Sequence, residues 1–119
     1  MTLADFLADI QDNDKITRIQ FSDTMSIIER YYDFTPCAFQ NGAHYNAAGE
    51  NNGSCKILAF GLLHELSVEQ TLHCFGDYYR IDVLQHPEAA DHQNIRNLIS
   101  QGWEGVRFDG EVLTAKQTC

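Results

Sequence analysis

Apolar residues recur at helical spacing through most of the chain and lose that spacing in two places. Leu3, Phe6, Leu7 and Ile10 fall on one face of a first predicted helix. Thr2 is suited to cap it, Asp5 near its start suits the helix dipole, and Asp12-Asn13-Asp14 breaks it. A second helix is predicted from Ser22 or Asp23 to Tyr32, burying Met25, Ile28 and Tyr32. It stops at Phe34-Thr35-Pro36, because a residue before proline disfavours the helical region. A third runs from Ser54 to Leu66, with Cys55, Leu58, Leu62 and Leu66 on one stripe and Ile57, Phe60 and His64 on the other side. A helix apolar nearly all round belongs in the middle of its fold. Ser67, with Gln70 three residues on, is a capping box for a fourth helix whose core stripe is Val68, Leu72, Phe75, Tyr79 and Val83. After the loop HPEAAD, Asp91 or His92 starts a fifth helix that buries Ile95, Leu98 and Ile99 and ends at Gly102.

The two exceptions differ from one another. Residues 37–53 are rich in Gly, Asn and Ala, with Phe39 and Tyr45 as the large apolar anchors. They read as a long loop with a short strand at Cys37–Gln40, and a loop of that length is usually functional or mobile. VRFDGEVL, 106–113, reads as two strands around Asp109-Gly110, a preferred hairpin pair. The fold class that follows is mainly α, α+β at most: a small helical domain of about five helices with a C-terminal β-hairpin or short strand pair.

Charge narrows the function. Seventeen acidic residues against 8 basic give −9, so a phosphate backbone would be repelled, and nucleic acid is excluded as a partner. The same acidity disfavours an anionic membrane surface, and no apolar run approaches the roughly 20 residues that span a bilayer. The start, MTLADFLADIQDNDK, lacks the pattern of a secretory signal, which points to the cytoplasm. Cys37, Cys55, Cys74 and Cys119 are then expected as thiols, and their spacing matches no metal motif.

Cys55 is the sharpest chemical candidate. At the start of a helix its thiolate would gain from the dipole, and Lys56 would act in the same direction. His64 cannot be its base from the same helix, since nine residues place it about 13 Å along the axis and half a turn round. Its place on the Leu58 stripe favours a packed thiol instead. His73, Asp77 and Arg80 fall at i, i+4 and i+7, which suits either an oriented base beside a guanidinium or a solvated face. His86, Asp91 and His92 bracket a loop and, with Cys74 or His44, are a weak candidate for a metal; helix capping explains Asp91 equally well. No cofactor or metal is expected. Tyr31, Tyr32, Tyr45, Tyr78, Tyr79 and Trp103 are numerous enough to wall a groove, although Tyr32 and Tyr79 lie on core stripes. The stretch 39–52 supplies hydrogen-bonding asparagines and feeds into a helix N-terminus. A ligand pocket is expected there, built from Asn41, His44, Tyr45, Asn52, Ser54 and Lys56.

Four blocks, YDFTPCAFQNG (32–42), NNGSCKILAF (51–60), FGDYYRIDVLQHP (75–87) and DHQNIRNLISQGWEGVRFDG (91–110), together resemble the HopJ family, also called HopPmaJ, of small bacterial type III effector-like proteins. Cys37 stands where the family pattern has Thr, and Leu98 where an aromatic is usual. The resemblance implies one HopJ-like domain over 1–119 and type III export as a family property, and it assigns no catalytic role to any position. The expected function is therefore an acidic binding or interaction module with a protein or small-molecule partner. A thiol hydrolase or transferase built on Cys55, with a histidine brought in by the fold, is the alternative.

Overall fold

The computed structural model describes residues 1–116. Thr2 Oγ1 accepts the Asp5 N–H and the Asp5 carboxylate accepts the Thr2 N–H, both at 3.1 Å, so α1 (Leu3–Gln11) opens on a reciprocal cap. Its Phe6 and Ile10 are buried. A 3₁₀ turn, Ile16–Arg18, leads to α2 (Phe21–Tyr31). Asp23 accepts the Gln20 N–H at 2.9 Å, which makes Phe21 the first helical residue, ahead of the expected start. Thr24, Ile27 and Ile28 are its buried residues; Met25 is half-buried. Tyr32 is buried as expected, but as the first residue of β1 (Tyr32–Phe34).

The stretch read as a loop with a short strand at Cys37–Gln40 holds a hairpin. β2 (Phe39–Asn41) pairs antiparallel with β3 (His44–Asn46), and Gly42, at φ +61°, makes the turn between them. The side chains that looked like loop polarity alternate across its two faces, Asn41 and Asn46 inward and Tyr45 outward.

Cys55, Ile57, Leu58 and Phe60 are buried on α3 (Asn52–Leu63), while Leu62, expected on the core stripe, is exposed. α4 (Val68–His73) has the expected Ser67–Gln70 capping box but is one short helix, not the long one anticipated. Gly76, at φ +63°, ends that path, and a π-helical turn, Tyr78–Val83, follows. Leu72, Phe75, Tyr79 and Val83 are nevertheless all buried. α5 (Gln93–Gln101) buries Asn94, Ile95 and Leu98 and leaves Ile99 exposed. A 3₁₀ turn, Gly102–Gly105, feeds β4 (Val106–Phe108), and β5 is Leu113–Ala115.

Of the C-terminal strands, β4 lies where the sequence places it, β5 begins at Leu113, where the expected second strand ends, and both have other partners. β4 joins β2, Phe39 opposite Phe108, giving the order β3-β2-β4; β5 pairs with β1, Tyr32 opposite Ala115. Asp109-Gly110 therefore lies between strands of two separate sheets. The architecture is mainly α with a small β component, and its buried apolar residues form one cluster. Phe60 sits within it, 5.9 Å from the Phe6 ring and 6.1 Å from the Tyr32 ring, edge to face.

Candidate functional site

Cys55 is fully buried, and its thiol donates weakly to the Cys37 carbonyl at 3.9 Å. Burial pushes its pKa up to about 11, outweighing the hydrogen bond and the Lys56 charge that lower it. Cys74 is buried too, and burial pushes it up to about 12. His64 Nε2 shares a hydrogen bond of 2.6 Å with the Tyr32 hydroxyl, which engages the imidazole on a tyrosine. Burial lowers the pKa of that imidazole.

The asparagines of the hairpin turn inward. Asn41 Nδ2 donates to the Asn94 carbonyl at 2.8 Å and to Asn94 Oδ1 at 3.0 Å. Asn94 Nδ2 donates in turn to Asn46 Oδ1 at 3.0 Å, and Asn51 Nδ2 reaches the same oxygen at 2.6 Å. Asn97 adds a bond to the Asn41 carbonyl at 3.0 Å. This network ties the hairpin to α5 and to the entry of α3. His44 is half-buried, Tyr45 is exposed on β3, and Asn52 is exposed at the first residue of α3. Lys56 Nζ sits 4.8 Å over the Phe34 ring. Ser54 and Lys56, two residues apart, point about 200° apart round the helix, so they cannot face one ligand together.

Ser54 instead lines a cleft of about 310 Å³ with Phe21, Phe75, Tyr78, His92 and Ile95. A neighbouring recess of about 360 Å³ shares Phe21 and Tyr78 and adds Gln20, Ser22, Asp77 and Asp82. Phe21 and Tyr78 stand edge to face at 5.1 Å, and the Tyr78 and His92 rings lie 5.4 Å apart. Tyr78 is 44% exposed despite these contacts. His92 Nε2 donates to Asp82 Oδ2 at 3.1 Å, which orients the imidazole and engages one of the two carboxylate oxygens. The backbone around the cleft is unusual: the π-helical turn, left-handed Gly76, and His92 at φ +52°. π-helical turns are frequent at functional sites.

Gly76 holds this corner together. A Cβ there would lie 2.5 Å from the Phe21 nitrogen, so the chain passes against the start of α2 only because the residue is glycine. The expectation missed Phe21, because it stood just outside the anticipated helix. It also missed Asp82 and the break at Gly76, for which Gly76 itself was the available signal.

The other constellations resolve as follows. Arg80 turns inward, donating to the Ile19 carbonyl, to the Ile16 carbonyl at 3.5 Å and to the His73 carbonyl at 3.3 Å. Its contact with Asp77 is a loose 3.9 Å. Asp91 pairs with Arg96 at 2.8 Å, and His86 is exposed. Among the described residues no three His, Cys, Asp or Glu side chains come together as a metal ion requires. Among them, too, no helix is long and apolar enough to cross a membrane.

These features define a mainly helical protein with an aromatic cleft at the junction of α2, the π-helical turn and α5. The chain belongs to the HopJ type III effector protein family, whose model matches residues 3–113. It is also similar to a solved structure, the crystal structure of the unknown-function protein VPA0580. The two are 56% identical, with 98% of this chain and 95% of that one covered and a TM-score of 0.94. No curated protein matches the chain.

Proposed function

We propose that this protein acts by binding, through the cleft walled by Phe21, Phe75, Tyr78, His92 and Ile95 with Ser54 at its side, and not by thiol chemistry. The observation that carries the reading is the exposed Tyr78 ring, held between Phe21 and His92 over a recess instead of being packed away. Apolar walls with a few fixed polar groups are the usual composition of a ligand site. Of the pocket expected from the sequence, Ser54 lines this cleft, while Asn41 is hydrogen-bonded to Asn94 in α5, the helix that supplies Ile95. His44, Tyr45, Asn52 and Lys56 lie outside its lining. The thiol alternative is weakened by the burial of Cys55 and by its raised pKa.

Membership of an effector family supports a partner outside the producing cell, reached by type III export, and the acidic surface favours a partner of opposite charge. The test is an amide NMR map of the labelled protein against a set of small aromatic and aliphatic fragments. Perturbed amides should cluster at Phe21, Tyr78 and His92. Clustering on the outer face of β3, or at the start of α3 around Lys56, would move the site away from the cleft.

A further inference from the structure

We infer that the recess adjoining the cleft, which shares Phe21 and Tyr78 with it, takes an arginine side chain of a partner protein, an inference that rests on the binding reading above and adds its ligand chemistry. Three features meet there. Tyr78 offers an exposed ring, and a guanidinium is the cation that stacks most readily on such a face. Asp77 and Asp82 line the recess on the side of Tyr78, and both carboxylates retain free acceptor capacity. Asp82 spends Oδ2 on His92 and keeps Oδ1; Asp77 meets Arg80 only at 3.9 Å. A planar fork of N–H donors matches carboxylate oxygens beside a stacking ring, as the single ammonium of lysine does not.

The local charge supports the same occupant. Arg80 points its guanidinium at buried carbonyls, and Arg96 is paired with Asp91, so neither neutralises the recess fully. The recess thus shares the sign of the whole chain, at −9, which would draw a basic partner toward it. Gln20 and Ser22 line the same recess and can bond a partner's backbone beside the bound side chain.

The experiment titrates the full chain with blocked Gly-Arg-Gly and with its citrulline counterpart, which keeps the planar shape but replaces one donor nitrogen with a carbonyl oxygen and loses the charge, reading amide shifts. The arginine peptide should give saturable shifts at Phe21, Tyr78, Asp82 and His92. The citrulline peptide should bind about tenfold more weakly, as expected for loss of a charge-assisted pair. Asp77→Asn and Asp82→Asn should each reduce that discrimination, with native spectra confirming that both variants fold; the Asp77 change leaves the His92 contact untouched. Equal affinity for the two peptides at these amides would overturn the arginine assignment while leaving the cleft as a binding site. Arginine shifts scattered over other acidic surface, or none, would overturn it as well. A fragment map centred away from the cleft would remove the underlying reading too.

Discussion

Cys55 carries two opposed influences. The first turn of α3 offers free N–H groups and the field of the helix, which lower a thiol pKa, while enclosure among Ile57, Leu58 and their neighbours raises it. Enclosure wins, at about 11. At pH 7 the thiolate fraction is then on the order of one in ten thousand. Alkylation of the native protein at neutral pH should therefore modify half-buried Cys37 well before Cys55 or Cys74, as read by mass spectrometry of the peptides. Modification of Cys55 first would mean that the sulfur is accessible. Cys119, the fourth expected thiol, lies outside the described residues. Asn94 poses the converse case, a buried polar side chain whose partners come from β2 and β3. Asn94→Ala removes one of the two acceptors of Asn41 Nδ2 and one of the two donors to Asn46 Oδ1, leaving the Asn94 carbonyl and Asn51 in place, and should cost about 1–2 kcal/mol. A denaturant midpoint unchanged in that variant would show that the network contributes nothing to holding the hairpin. The sequence reveals the asparagines of 39–52 as hydrogen-bonding groups, and gives no sign of Asn94. It could not reveal that they face inward, because the partner of Asn46 stands 48 residues away.

At the scale of elements, local chemistry was legible and long-range choice was not. The caps at Thr2 and Ser67 are visible because each is complete within four residues. The π-helical turn is invisible for the opposite reason: Leu72, Phe75, Tyr79 and Val83 fit an unbroken α-helical stripe, and all four are buried. Only Gly76 marks the break. Its left-handed backbone and contact with the Phe21 nitrogen make Gly76→Ala a change that strains the chain whatever the side chain does. That substitution should cost roughly 2 kcal/mol or more and show as a lower urea midpoint. A midpoint within error of the parent would mean that the corner between α2 and the π-helical turn is not rigid. The strands teach a similar lesson. Asp109-Gly110 is a good hairpin pair, but β4 gains Phe39 opposite Phe108 by pairing with β2, and β5 is taken by β1. Turn propensity is local, whereas strand partnership is settled by what each face can bury.

The whole molecule couples its histidines to stability. Burial lowers the pKa of His64, and burial followed by the Arg80 charge lowers that of His73, both from 6.5. A histidine with a depressed folded pKa binds fewer protons than in the unfolded chain, so its neutral-form stability is present above 6.5 and is lost as pH falls toward the folded pKa. The carboxylates Asp5, Asp12 and Asp91 are shifted below 3.8, so their contribution is fully present across this range and is lost only as pH falls below 3.8. Falling pH also reduces the net charge of −9 and relieves self-repulsion, which acts in the other direction. The comparison of variants separates the two. Between about pH 7.5 and about pH 5.5, the melting midpoint of His64→Gln should fall less than that of the parent, since the titrating ring is gone. An identical fall in both would remove His64 from the account. The overall class, mainly helical with a small β component, was readable from periodicity alone. The cleft was not, because Phe21, Ser54, Tyr78 and His92 come from four separate segments that only tertiary packing brings together.

The central claim is that function resides in this cleft and not in the thiol of Cys55. Its most direct test is one fragment titration, followed by amide shifts, on three proteins: the parent, Tyr78→Ala and Cys55→Ser. The account predicts that a fragment bound by the parent is lost by Tyr78→Ala and bound with unchanged affinity by Cys55→Ser. Binding that survives in Tyr78→Ala but disappears in a folded Cys55→Ser protein would contradict it.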